Sequence, residues 1–125
     1  MYLLDTCALI WLLSDYTALP EKSRIVIESA DIAYISIASL WEIAIKQGNG
    51  KLNLQKSICD IAEICEHSNI ELLYPTPLDF DIIQSLPKIH GDPFDRLIIA
   101  QAQIRNLTII TSDTFIPQYA VNTIW

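Results

Sequence analysis

Short apolar runs alternate along this chain with longer segments of helical periodicity, and that alternation restricts the fold more than any other feature. The runs are Tyr2 to Leu4, Ile32 to Ile35, Ile70 to Tyr74, Leu107 to Thr111 and Val121 to Ile124. Strands this short, separated by helices, predict an α/β fold with a mainly parallel sheet. The helix boundaries between them are legible. Ala8 to Leu13 reads as a buried helix start, and Pro20-Glu21 opens a second helix with Ile25, Val26 and Ser29 expected along one face. From Ser36 a third begins, with Ile37, Leu40, Trp41, Ala44 and Ile45 recurring at helical spacing. Gly48-Asn49-Gly50 stops it, because these residues tolerate the positive φ of a helix C-cap. Ser57 to His67 is amphipathic through Ile58, Ile61, Ala62 and Cys65. Thr76-Pro77 and Asp92-Pro93 are N-cap and first-turn pairs for two more helices, the second running to Asn106.

A chain of 125 residues, 51% hydrophobic and 18% charged, is expected to be one domain, residues 1–125, with a densely packed core. No apolar run approaches the roughly 18–20 residues that span a bilayer. Met1 leads straight into Tyr2-Leu3-Leu4-Asp5 without the basic start of a signal peptide, so a cytoplasmic location is expected. Cys7, Cys59 and Cys65 form no CxxC pair and are expected to be buried free thiols. The net charge of -7 disfavours polyanion binding unless bound metal or a local basic patch offsets it. Lys46, Lys51, Lys88, Arg96 and Arg105 are the candidates for such a patch.

In an open parallel sheet, ligands sit beyond the carboxyl ends of the strands, where strand order reverses. Asp5 and Asp113 end two of the apolar runs, and Glu42 and Asp95 lie on or beside helices that follow loops. Carboxylates gathered together persist as anions only if cations share the site, and hard oxygen donors suit Mg²⁺ or Mn²⁺. One metal can lower the pKa of a bound water while a second stabilises the leaving oxygen of an in-line displacement at phosphorus. Each acid also has a structural alternative. Asp5 can cap the first helix, and Glu42 can pair with Lys46 four residues on. Asp92 can cap its helix with Asp95 as the reciprocal partner of a capping box, and Asp113 can begin a turn.

Taken together, four segments carry a resemblance. They are Tyr2-Leu3-Leu4-Asp5-Thr6 with Ala8-Leu9-Ile10-Trp11, Ile35 to Ala44, Asp92-Pro93-Phe94-Asp95-Arg96 through Ala102, and Leu107 to Asp113. In this order they resemble the VapC-like PIN-domain toxins of bacterial toxin–antitoxin systems. The resemblance implies a PIN-like fold, a central mainly parallel sheet flanked by helices. It implies Mg²⁺- or Mn²⁺-dependent endoribonuclease activity on an RNA substrate, a cognate antitoxin as partner, and a homodimer. Carried over position by position, it makes Asp5, Glu42, Asp95 and Asp113 the catalytic, metal-holding acids. Thr6 and Ser112 stand where family members use a hydroxyl to orient water or a carboxylate. The chain departs from close relatives at Cys7, where they commonly carry His, and Asp92 is an additional acid whose main role is expected to be capping.

Other chemistries fit less well. A receiver needs a strand-end lysine late in the chain, whereas the last lysine is Lys88, and an aspartyl-nucleophile phosphatase wants an acid where Cys7 stands. The alternative in a different class is a non-catalytic interaction module on the PIN scaffold. His67 and His90 share no pattern suggesting a paired acid and base, and His90 is expected in a loop. Trp11, Trp41 and Trp125 are expected to fill the core or a dimer contact.

Overall fold

The computed structural model describes residues 1–125. Five strands, Tyr2–Leu4 (β1), Ala33–Ser36 (β2), Ile70–Leu73 (β3), Thr108–Ile110 (β4) and Asn122–Ile124 (β5), form one sheet in the order β3-β2-β1-β4-β5. Every neighbouring pair is parallel, as the alternation of runs and helices predicts. β1 is the central strand, with Tyr2 registered against Ala33 on one side and Thr108 on the other. Six helices cover the sheet: Thr6–Ser14 (α1), Glu21–Ser29 (α2), Ile37–Gly48 (α3), Ile58–His67 (α4), Pro77–Ser85 (α5) and Pro93–Arg105 (α6). No helix is long and apolar enough to cross a membrane.

Successive side chains of a strand point to opposite faces, and here both faces are buried. Leu4, Ile35 and Ile110 pack beneath α1, α3 and α4 through Leu9, Ile43, Ile61 and Cys65. Leu3 and Ile109 point the other way, against Leu97, Ile98, Ile99 and Ala102 of α6. This explains why the strands read as continuous apolar runs instead of alternating ones. Caps fix where the helices begin. Ser57 and Asp60 form a reciprocal capping box at α4, and at α5 Asp79 Oδ2 accepts the N–H and the hydroxyl of Thr76, at 2.7 and 3.2 Å. At the end of α3 the chain reverses through Gly50, whose φ of 77° favours a residue without a Cβ. Asp79 is fully buried and holds Arg105 by two hydrogen bonds of 2.7 and 3.1 Å, tying α5 to the last turn of α6.

Two helices face the core by different residues than their sequence pattern predicts. In α3 the buried positions are Ala38, Ser39, Leu40, Glu42 and Ile43, while Trp41, Ala44 and Ile45 are exposed. The packed face follows the small residues that let α3 approach α1 and α6, so the large apolar side chains are turned outward. In α2, Ile25 is exposed, and Ser23 is buried with Val26 and Ile27 partly so. Only Cys65 of the three cysteines is buried; Cys7 and Cys59 are exposed thiols. Trp11 and Trp125 pack on each other with ring centres 5.3 Å apart, at the margin of the first core layer. Trp41 instead stands in solvent.

These placements separate neighbouring residues of α3 energetically. Ile43→Ala is expected to cost about 2–5 kcal/mol of unfolding free energy, as a large-to-small change in a closed core. Ile45→Ala should cost less than about 1 kcal/mol. Urea unfolding of both variants checks this, and equal losses would contradict the observed helix face.

Candidate active site

The order β3-β2-β1-β4-β5 reverses direction between β1 and β4, and the carboxyl ends of those two strands deliver Asp5 and the segment from Thr111 to Asp113. Asp5 is both the last residue before α1 and its cap: Oδ1 accepts the Ala8 N–H at 2.8 Å. Its Oδ2 accepts a hydrogen bond from the Thr111 hydroxyl. Thr111 Oγ1 in turn accepts the Asp113 N–H at 3.0 Å. Asp113 turns its Oδ1 back to the N–H groups of Phe115 and Ile116, at 2.7 and 3.1 Å, so the turn-forming role open to it in the sequence is realised.

Glu42 reaches the same face from the second turn of α3, where it is buried and pairs with Lys46 at 2.8 Å. Asp95 lies in the first turn of α6, set there by Asp92, whose Oδ1 accepts the N–H groups of Phe94 and Asp95 at 2.9 and 3.0 Å. The capping role of Asp92 is thus observed, but Asp95 does not return the bond as a capping-box partner. Its carboxylate meets His90 Nε2 at 3.1 Å instead. Thr6 donates to Ser39 Oγ at 3.0 Å, joining α1 to α3, whereas Ser112 is exposed.

The acids feel one another. Burial pushes the Asp5 carboxyl up to about 6, against the hydrogen bonds from Thr111 and Ala8, and the charges of Asp113 and Glu42 add to the rise. Asp95 is raised too, mainly by burial, with His90 opposing and the charges of Asp92, Asp113 and Asp5 assisting. The fold therefore brings Asp5, Glu42, Asp95 and Asp113 to one end of the sheet. As they stand, no three His, Cys, Asp or Glu side chains are grouped as ready ligands of one ion. The two largest cavities, about 790 and 570 Å³, lie elsewhere and contain none of these four acids. The acidic face is an open surface.

The family model for the PIN domain matches residues 2–122. The chain belongs to the PIN domain family. Among solved structures, this PIN domain is similar to VapBC2 from Rickettsia felis bound to a DNA fragment from its promoter, with a TM-score of 0.73 and 16% identity over 98% of this chain and 96% of that one. It is similar to FitAcB from Neisseria gonorrhoeae, with a TM-score of 0.56 and 23% identity over 100% and 97% of the two chains. A domain of a functionally unknown protein from Methanocaldococcus jannaschii matches with a TM-score of 0.60 and 19% identity over 99% and 89%. At these identities the likeness is one of fold. No curated protein sequence matches the chain.

The donor set of this PIN domain suits a hard divalent cation: the groups are carboxylate oxygens, like charges are held together, and burial disfavours the ionisation of Asp5 and Asp95. Three of the five basic residues considered for a surface patch are occupied within the fold. Lys46 pairs with Glu42, Arg105 with Asp79, and Arg96 with backbone carbonyls and Tyr119. The Ser or Thr hydroxyl that touches one of the four acids is that of Thr111, buried at the end of β4, and not Ser112 or Thr6. No local pattern distinguishes Thr111 from Ser112; only the register of β4 against β1 does.

A carboxyl whose pKa rises on folding is favoured in its protonated form, so Asp5 contributes stability that is fully present below about pH 4 and lost as pH rises through about 6. Asp5→Asn removes the ionised form while keeping an acceptor for the Ala8 N–H. Without divalent cations, the variant is expected to exceed the wild type by roughly 2–3 kcal/mol at pH 7.5 and to match it near pH 4. Urea unfolding at the two pH values measures the difference; a variant less stable at pH 7.5 would count against a strained, ionised Asp5.

Proposed function

We propose that this PIN domain is a metal-dependent endoribonuclease, the toxin component of a toxin–antitoxin pair, with Asp5, Glu42, Asp95 and Asp113 holding Mg²⁺ or Mn²⁺. The observation that carries the reading is the convergence of these acids at the switch point of the sheet, with Asp5 buried and pushed up to about 6. A fold that concentrates negative charge at such cost gains from a cation there. A bound divalent cation would supply water activation and charge stabilisation for in-line displacement at a phosphodiester.

The residues divide the remaining work. Asp5 is fixed by Ala8 and Thr111, with each of its two oxygens held by one hydrogen bond. Asp113 has one oxygen committed to Phe115 and Ile116, which leaves Oδ2 for a ligand. Glu42 would exchange its contact with Lys46 for the cation, freeing the Lys46 ammonium for a phosphate. The open form of the face suits a polymer better than an enclosed small molecule, and a bridging cation answers the repulsion between an RNA strand and a chain of net charge -7.

The likeness to VapBC2 and FitAcB supports a cognate antitoxin as the protein partner. Exposed apolar side chains, Trp41 and Ile45 on α3 and Leu78 and Phe80 on α5, are surface that an antitoxin or a second protomer would cover. The proposed RNA substrate supports a cytoplasmic location.

The test is cleavage of a mixed cellular RNA pool by purified protein freed of its antitoxin, with Mn²⁺ or Mg²⁺ and with EDTA. Discrete fragments are expected that vanish with chelator and fall by about a hundredfold or more in Asp5→Asn and Asp95→Asn. An absence of both cleavage and metal binding would leave the fold as a non-catalytic interaction module.

A further inference from the structure

Behind Asp95 lies a hydrogen-bonded chain of three side chains that the four-acid reading does not use. His90 Nε2 is 3.1 Å from Asp95 Oδ2, and His90 Nδ1 is 2.7 Å from the Tyr119 hydroxyl. The same hydroxyl oxygen receives Arg96 Nη1 at 3.1 Å and the His90 backbone N–H at 3.3 Å. Arg96 is itself fixed by the carbonyls of Pro87, Ile83 and Leu86, at 2.8, 3.2 and 3.4 Å. Phe115 stacks on the imidazole at 5.1 Å with the planes 10° apart, and Tyr119 packs across it.

Counting protons settles the direction of these bonds. A guanidinium and a backbone N–H can only donate, so together they fill the two acceptor sites of the Tyr119 oxygen. A proton on His90 Nδ1 would then have no acceptor. The phenol's single hydrogen has two acceptors in reach, His90 Nδ1 at 2.7 Å and the His90 carbonyl at 3.4 Å, and the shorter bond takes it. Nδ1 is therefore the bare nitrogen, and Nε2 carries the hydrogen that points at Asp95 Oδ2.

From this geometry we infer that Arg96 and Tyr119 lock the orientation of the His90 ring with Nε2–H toward Asp95, and that His90 is a positioning residue that anchors Asp95 through one oxygen and presents the other to a divalent cation. The inference rests on the metal site proposed above. Its logic is that of a ligand held from behind: a donor on one carboxylate oxygen fixes the rotamer and leaves the other oxygen to the ion. Asp95 Oδ1 takes no hydrogen bond from the protein, which matches that role.

Two measurements test it. Nitrogen NMR of the metal-free protein at pH 7, carrying His67→Gln to remove the only other imidazole, should show His90 with a protonated Nε2 and a bare Nδ1. A ring protonated at Nδ1 would overturn the inference with every residue around His90 unaltered. Calorimetric titration with Mn²⁺ should then show affinity falling roughly 10–100-fold in Tyr119→Phe and His90→Ala. In His90→Gln, whose amide N–H can replace Nε2–H, most of that affinity should return. Equal Mn²⁺ affinity in all variants would overturn the positioning role while leaving the metal site intact. A wild type that binds no Mn²⁺ would overturn the site reading itself, and the positioning role with it.

Discussion

The hydrogen bond from the Thr111 hydroxyl to the Asp5 carboxylate joins residues 106 apart in sequence, and much of the molecule is organised around it. Asp5 terminates the central strand, caps α1 through Ala8, and forms a corner of the acidic face. Thr111 terminates the neighbouring strand and, through its own oxygen, sets the turn that carries Asp113. One side-chain contact thus fixes the separation of two strand ends, the start of a helix and the relative position of two acids. A hydroxyl is suited to this place because it donates to the carboxylate and accepts from the backbone at once.

What makes such a site affordable is the core on either side of it. Leu3 and Leu4, adjacent in sequence, are both fully buried, one in each layer, immediately before the acid. Burial is also what raises the Asp5 and Asp95 carboxyls, so the same packing that supplies stability makes the acidic face unfavourable when ionised and empty. The fold and the site oppose each other electrostatically, and the cation proposed above would reconcile them.

How much of this was legible in the sequence depended on whether the determinant was local. The strands and caps were visible because apolar runs, Thr76-Pro77 and Asp92-Pro93 act within a few residues. The four acids stood out at strand ends and loop exits, and the fold carries all four to one end of the sheet. The buried face of α3 is not legible from apolar spacing, which points to Trp41 and Ile45, because the packed face is chosen by the small residues Ala38 and Ser39. Nothing local favours Thr111 over Ser112, since only strand register separates them. His90 lies in a loop, as its sequence context predicts, but its partner Tyr119 is 29 positions away, beyond any local pattern.

The placement of β1 has a bearing on timing. Its two neighbours are β2, about thirty positions away in register, and β4, whose Thr108 pairs with Tyr2. During synthesis at the usual pace, roughly 5–20 s separate the emergence of Asp5 from that of Thr111. Throughout that interval the sheet lacks its second half, and Asp5 lacks both its hydroxyl and its facing acid. Folding dominated by such distant pairings is slow to close and cooperative when it does. A nascent chain therefore cannot assemble its acidic face until Thr111 and Asp113 have emerged, a delay written into strand order.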